Sequence, residues 1–165
     1  MKSKATKLTI TSNLEVYKSM EDLPAEDLAL LKLAKKAVKS AYAPYSNFNV
    51  GAAILLHNGK TQIGNNQENA AYPSGLCAER VAIFHASAIY PNVPVKTIAI
   101  SVTSKNQTIS DPIPPCGACR QAISEYESRY ESPIRIIMSG ETGKIYVSES
   151  IENLLPLMFN KKHLK

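Results

Sequence analysis

Apolar and polar positions along the chain switch repeatedly between the period of a strand and that of a helix. Residues 7–16 alternate, with Leu8, Ile10, Leu14 and Val16 on one side, which is the pattern of a short strand. Pro24, followed by Glu26 and Asp27, marks a helix start, because proline is tolerated in a first turn and acidic side chains suit the positive end of the helix dipole. Leu28, Leu31, Val38 and Ala41 then recur near helical spacing, and Pro44 is expected to stop that helix. Residues 50–56 and 61–64 flank His57-Asn58-Gly59-Lys60, and Asn-Gly between two strand-like runs predicts an antiparallel hairpin. Residues 77–88 are compatible with a helix that can turn Val81, Ala82, Ala86 and Ile89 inward, with Pro91 and Pro94 beyond its end. Residues 95–102 form a dense apolar, β-branched run of the kind a buried strand shows. A helix from 116 to about 130 follows a proline-rich loop; strands are expected at 134–138 and 144–147, and a short helix at 150–155 with Ser150 as its cap.

Strands alternating with helices imply an α/β layered domain around a mixed sheet that begins with an antiparallel hairpin. A length of 165 residues suits one domain. Residues 1–25 read as an N-terminal extension, 26–160 as the main domain and 161–165 as a basic tail. Apolar residues make up 44% and charged residues 20% of the chain, an ordinary globular balance with no apolar run of the length a membrane span needs. Met1-Lys2-Ser3-Lys4 is basic, but Leu8-Thr9-Ile10-Thr11-Ser12 is too polar for the apolar core of an export signal, so a soluble protein in the cytoplasm is expected. The net charge of +5 does not change this picture. Lys32, Lys35, Lys36 and Lys39 read as the solvated face of a helix, and Lys161, Lys162 and Lys165 sit at the C-terminus. No basic stripe interleaved with aromatic residues accompanies them, so no nucleic-acid partner is expected.

The candidate chemistry lies in the cysteines. Cys77, Cys116 and Cys119 are the only three, and they fall in Cys77-Ala78-Glu79-Arg80 and Pro115-Cys116-Gly117-Ala118-Cys119-Arg120. An odd count without an export signal argues for reduced thiols and metal binding rather than disulfides. Zinc favours sulfur and nitrogen ligands in tetrahedral geometry, and three protein ligands leave the fourth position open for water, as in catalytic rather than structural sites. His57, His85 and His163 do not stand at finger-like spacing from the cysteine pair. Cys116 and Cys119, three apart at a helix start, present two sulfurs to one cation, and the helix N-terminus favours their ionised form. Glu79 lies two residues after Cys77, a spacing that does not put both side chains on one face of an ideal helix. A Cys or His with a nearby Glu, followed by P-C-x-x-C, is nonetheless the mark of zinc nucleobase deaminases, in which the Glu carries protons and does not bind metal.

The resemblance extends well past these motifs. Ala43-Pro44-Tyr45-Ser46, Phe48-Asn49-Val50-Gly51-Ala52-Ala53, Asn66-Gln67-Glu68-Asn69-Ala70-Ala71-Tyr72-Pro73 and the two cysteine motifs are similar to stretches of the short-chain, homotetrameric cytidine deaminases, and the likeness runs in order from about residue 28 to 159. It implies a three-layer fold, a mixed sheet flanked by helices, with one zinc ion per subunit held by Cys77, Cys116 and Cys119 and with Glu79 as the catalytic proton carrier. It further implies that Phe48 packs on the pyrimidine, that Asn66 and Glu68 bond the ribose hydroxyls, and that Ala78 and Tyr72 belong to the substrate site. Phe159 would reach a neighbouring subunit's active site, making a homotetramer with shared sites. The Gly-Pro expected after that aromatic is replaced here by Asn160-Lys161. Three thiolates leave a zinc centre rich in electrons, which Arg80 and Arg120 beside the motifs can offset, Arg80 by hydrogen bonds to sulfur.

The activity implied is hydrolytic deamination of cytidine and 2′-deoxycytidine to uridine and 2′-deoxyuridine in pyrimidine salvage. Three other readings share parts of the pattern. A deaminase of a modified cytosine nucleoside such as blasticidin S would use the same zinc chemistry with another pocket. A polynucleotide-editing deaminase would need an open groove and a basic or stacking surface. A zinc-stabilised module that binds nucleoside without turnover would have no use for Glu79.

Overall fold

In the computed structural model, which describes residues 5–164, the chain runs β1 (Glu15–Tyr17), α1 (Ala25–Val38), β2 (Phe48–Leu56), β3 (Thr61–Asn65), α2 (Ala78–Ile89), β4 (Val95–Ser104), α3 (Gly117–Tyr130), β5 (Arg135–Ser139) and β6 (Ile145–Ser148). Short 3-10 turns lie at Met20–Asp22, Tyr72–Ser74, Ile151–Asn153 and Lys161–Leu164. The expectations for Met1–Lys4 and for Lys165 fall outside the described residues.

The Asn58-Gly59 pair does close an antiparallel hairpin between β2 and β3, with Gly59 at φ 79°, a conformation open to glycine at no steric cost. The six strands form one mixed sheet in the order β1-β6-β5-β4-β2-β3, parallel only between β4 and β5. Alternation along the central strands decides which face each residue serves. On one face Ala53 and Leu55 of β2, Ala99 of β4 and Ile137 of β5 pack with Leu30, Leu31 and Ala34 of α1. On the other, Ala52, Ile54, Ile98, Ile100, Ile136 and Met138 pack with Ala82, Ile83 and Ala86 of α2 and Ile123 of α3. Helix, sheet and helix pair therefore make the three layers expected.

Gly64 of β3 explains how α2 lies so close to the sheet. A Cβ there would stand 2.6 Å from Ala78 O and 2.5 Å from Ala82 N, so only glycine lets the first turn of α2 settle against the strand. That first turn carries the candidate chemistry.

Several boundaries differ from the sequence pattern, each for a local reason. Helix α1 ends at Val38, not near Pro44, because Tyr42 leaves the helical path to bridge Gln67, donating to Asn66 O and accepting from Glu68 N. The buried face of α2 uses Ala78, Ala82, Ile83 and Ala86, and Ile89 is 53% exposed because it lies beyond the turns that touch the sheet. The N-terminal strand is confined to Glu15–Tyr17 because its partner β6 spans only Ile145–Ser148 and offers three facing positions; Leu8, Ile10, Leu14 and Val16 stay exposed. Arg135 fastens β1 to the body, reaching Glu15 and Asp27, each at 3.0 Å, together with Glu149. The helix expected at 150–155 shrinks to a 3-10 turn, still capped by the Ser150 hydroxyl, which accepts from Glu152 N.

Candidate metal centre and active site

The two helices on one face of the sheet begin at the same place. Cys77 is the N-cap of α2 and Cys116 the N-cap of α3, both with extended backbone (ψ 154° and 167°), and Cys119 is the third residue of α3. N-cap and third helical residue are the positions whose side chains face each other in a capping box, which is why the C-x-x-C spacing converges here. Cys77 Sγ lies 3.7 Å from Cys116 Sγ, which lies 3.5 Å from Cys119 Sγ, and all three fall within 4.8 Å of one another. Zinc bonded to sulfur at about 2.3 Å in tetrahedral geometry sets its sulfurs roughly 3.8 Å apart. The donor set therefore fits a zinc ion. Neither cysteine N-cap spends its side chain on a backbone amide, so the positive ends of both helix dipoles act on the cluster.

Electrostatics favour the ionised form of Cys77 even without a cation. A hydrogen bond from the Cys119 thiol, with help from Arg80, brings Cys77 down to about 5. The same pairing, with burial, pushes the Cys119 thiol up. A bound divalent cation takes such ligands as thiolates. Arg80 Nη2 donates to Cys77 Sγ at 3.7 Å, so its charge faces sulfur as its place in the motif suggests. Arg80 Nε is buried with no acceptor among the described residues, a donor at the rim of the cluster that the protein leaves unspent.

Glu79 is the second residue of α2 and 4% exposed. Burial raises its carboxyl to about 7; the negative charge at Cys77 adds to this, while the Cys119 thiol and Arg80 pull the other way. The helical-wheel objection does not apply, because Cys77 precedes the helix in extended conformation and the two residues are not on one helical turn.

A cavity of about 440 Å³ opens beside the cluster, with Tyr45, Asn66, Glu68, Tyr72, Cys77 and Arg80 on its wall. Gln67, also on the wall, pairs with Tyr42 on one side and with Leu76, immediately before Cys77, on the other. Asn66 and Glu68 each spend half of their capacity on the protein. Asn66 Oδ1 accepts from Val50 N at 2.8 Å and Nδ2 donates to Phe48 O at 2.9 Å, which leaves one N–H. Glu68 Oε2 accepts from Tyr45 N and Ser46 N at 2.9 and 3.3 Å, which leaves Oε1 open. The Ser46 hydroxyl, with these amides, holds the Glu68 carboxyl below its ordinary range.

The remaining candidates are placed less directly. Phe48 is half-buried at the start of β2, and Ala78 is fully buried as the first residue of α2; neither lines the cavity. Tyr72 is 78% exposed and meets Tyr45 edge-on, ring centres 6.5 Å apart. Phe159 is 57% exposed, away from the cavity wall and stacked on His163 at 5.4 Å. Arg120 does not turn to sulfur: its Nε donates to Pro115 O and its Nη1 to Leu154 O, both at 2.8 Å. Residues that the pattern did not single out are Tyr45 and Ser46, whose backbone amides hold Glu68; the Pro44-Tyr45-Ser46 turn was the available signal.

Known proteins are similar to this chain in sequence and fold. The sequence model for the "Cytidine and deoxycytidylate deaminase zinc-binding region" matches residues 24–131, a span that holds all three cysteines and Glu79. The cytidine deaminase of Halalkalibacterium halodurans is 38% identical over 135 residues, covering 82% of this chain and 95% of that protein. That of Sporosarcina psychrophila is 37% identical over 136 residues, covering 82% and 92%. Among solved structures, the cytidine deaminase of Burkholderia pseudomallei superposes with a TM-score of 0.70 at 38% identity, covering 83% of this chain and all of that one. Sequence and fold agree with these relatives, the matched zinc-binding region spans the sulfur cluster, and the chain belongs to the cytidine deaminase family, whose members are hydrolytic deaminases.

Proposed function

We propose that this protein deaminates free cytidine and 2′-deoxycytidine to uridine and 2′-deoxyuridine with release of ammonia, a step of pyrimidine salvage. The observation that carries this reading is a three-sulfur cluster whose Cys77 lines a nucleoside-sized cavity, with the buried carboxyl residue Glu79 two positions further on in the first turn of α2. Cys77, Cys116 and Cys119 would hold one zinc ion, which when bound supplies the Lewis acidity that lets water act as a nucleophile near neutral pH.

Glu79 takes the proton of the attacking water as oxygen bonds to C4 of the ring. It gives that proton to N3, then takes a second proton from the new C4 hydroxyl and passes it to the departing amine; the C4–N bond breaks, ammonia leaves and a carbonyl remains at C4. A carboxyl lifted to about 7 suits a group that must both accept and return protons at neutral pH. The N–H left on Asn66 and the free Oε1 of Glu68 suit one sugar hydroxyl, which can accept from the first and donate to the second. Phe48 and Tyr72 would confine the base, with Ala78 at the helix start behind it. Phe84 and Ile89 on the outer side of α2, together with Phe159, are exposed apolar residues that support a homotetramer in which Phe159 completes a neighbour's site. Reduced thiols suit a cytoplasmic setting.

A substrate panel checks the reading. Cytidine and 2′-deoxycytidine are expected to be turned over with kcat/KM within about tenfold of each other. Free cytosine and a cytosine-containing single-stranded oligonucleotide should fall behind by roughly 10²-fold or more, since both leave the sugar-binding groups unpaired or blocked. Faster turnover of blasticidin S or of the oligonucleotide would overturn the substrate assignment.

A further inference from the structure

Residues 110–115, the loop that delivers Cys116 to the cluster, make no backbone-to-backbone hydrogen bond among the described residues. Pro112, Pro114 and Pro115 lack the N–H with which such a loop is usually tied down. The one side-chain hydrogen bond it receives there is from Arg120 Nε to Pro115 O, at 2.8 Å, on the residue just before the Cys116 N-cap. The same guanidinium donates from Nη1 to Leu154 O, 34 residues further along the chain.

Leu154 is itself firmly placed. It closes the 3-10 turn Ile151–Asn153, whose Ile151 is fully buried. Glu127, further along α3 from Arg120, accepts from Ile151 N at 2.9 Å and from Ser150 Oγ at 3.0 Å, and also holds Ile134 N at 2.7 Å. Gln121 then donates to Phe159 O at 2.8 Å. Helix α3 therefore grips the segment 150–159 with three side chains, and one of them passes that anchorage back to the loop before the metal ligand. The planar fork of arginine can span two carbonyls at once; the point charge of lysine cannot hold both in that geometry.

We propose that Arg120 is a positioning residue for the metal centre: by bridging Pro115 O and Leu154 O, it makes the C-terminal segment part of what holds Cys116 in register with Cys77 and Cys119. The inference rests on the three-sulfur site binding a metal and is independent of which nucleoside is deaminated. Hydrogen-bonding partners behind metal ligands change metal affinity by about 10- to 100-fold when removed.

The test uses the full chain loaded with zinc, and with cobalt(II) as a spectroscopic reporter of thiolate geometry. Transfer of zinc to an excess of chromogenic chelator is expected to be at least about tenfold faster in both Arg120→Ala and Arg120→Lys than in the wild type. The cobalt-thiolate bands should shift in position or intensity in both variants. A purely structural role would lower the melting temperature and leave the cobalt spectrum as in the wild type, and that result would overturn the proposal. So would wild-type zinc release in Arg120→Lys, which would assign the effect to charge and not to the bridge. Neither readout requires turnover, so a failure of the cytidine assignment would leave this result standing, and the reverse holds equally.

Discussion

Glu79→Gln protein is expected to fold, to bind one zinc per chain and to lose turnover of cytidine by about 10⁴-fold, the upper end of what a single acid-base group contributes. The large figure follows from repeated use: the same carboxylate moves one proton from water to the ring and a second from the C4 hydroxyl to the leaving amine, so no other step compensates for its removal. Glu79 sits within a buried first turn that Gly64 lets settle against the sheet. Glutamine has the same shape, and the amide carries no charge that burial must penalise, so thermal stability should not fall. Steady-state rates and zinc content measured on the same preparation separate the two effects. Turnover within about tenfold of the wild type would remove Glu79 from the mechanism.

Cys119→Ser should fail in a different way, by losing metal before any question of chemistry arises. Structural zinc sites are worth about 10–16 kcal/mol over four ligands, or roughly 3–4 kcal/mol each, so removing one sulfur weakens binding by roughly 10²- to 10³-fold. Cys119 is the most enclosed of the three, fully buried, while Cys116 is exposed, so no neighbouring side chain or water can readily replace its sulfur. Zinc content by elemental analysis after dialysis against a weak chelator is expected to fall to near zero, with activity following it. Wild-type zinc content retained through the same dialysis would show that two sulfurs suffice and would remove Cys119 from the ligand set.

Much of this architecture was legible in the chain. Periodicity marked every strand of the sheet's centre, and Asn58-Gly59 marked the hairpin, because those signals are local. Strands alternating with helices marked a layered domain, but the runs 52–55 and 98–100 are apolar throughout, so which helix covers which face was visible only in the structure. What escaped the pattern depends on side chains bonding distant backbone. The early end of α1 reflects the Tyr42–Gln67 bridge, and the brevity of β1 reflects the short partner strand β6. Asn66 and Glu68 looked like a polar loop with sugar-binding capacity; half of each is committed to Phe48, Val50, Tyr45 and Ser46, contacts that no local pattern reveals. Arg120 stood beside a metal motif and invited a role at sulfur, while its donors reach two carbonyls that sequence proximity cannot reveal. The relation of Glu79 to Cys77 was obscured because a wheel assumes both residues are helical, and Cys77 is not.

The fold, the sulfur cluster and the buried carboxylate describe a hydrolytic centre, and one spectrophotometric measurement puts that description at risk. Zinc-loaded protein at micromolar concentration is mixed with cytidine, and the ultraviolet absorbance is followed alongside released ammonia. The prediction is a fall in absorbance as cytidine becomes uridine, with one ammonia per nucleoside consumed, arrested by removal of zinc with a chelator and restored when zinc is returned. Unchanged absorbance over hours, in protein shown to carry one zinc per chain and to bind cytidine, would contradict it and leave a nucleoside-binding module in place of an enzyme.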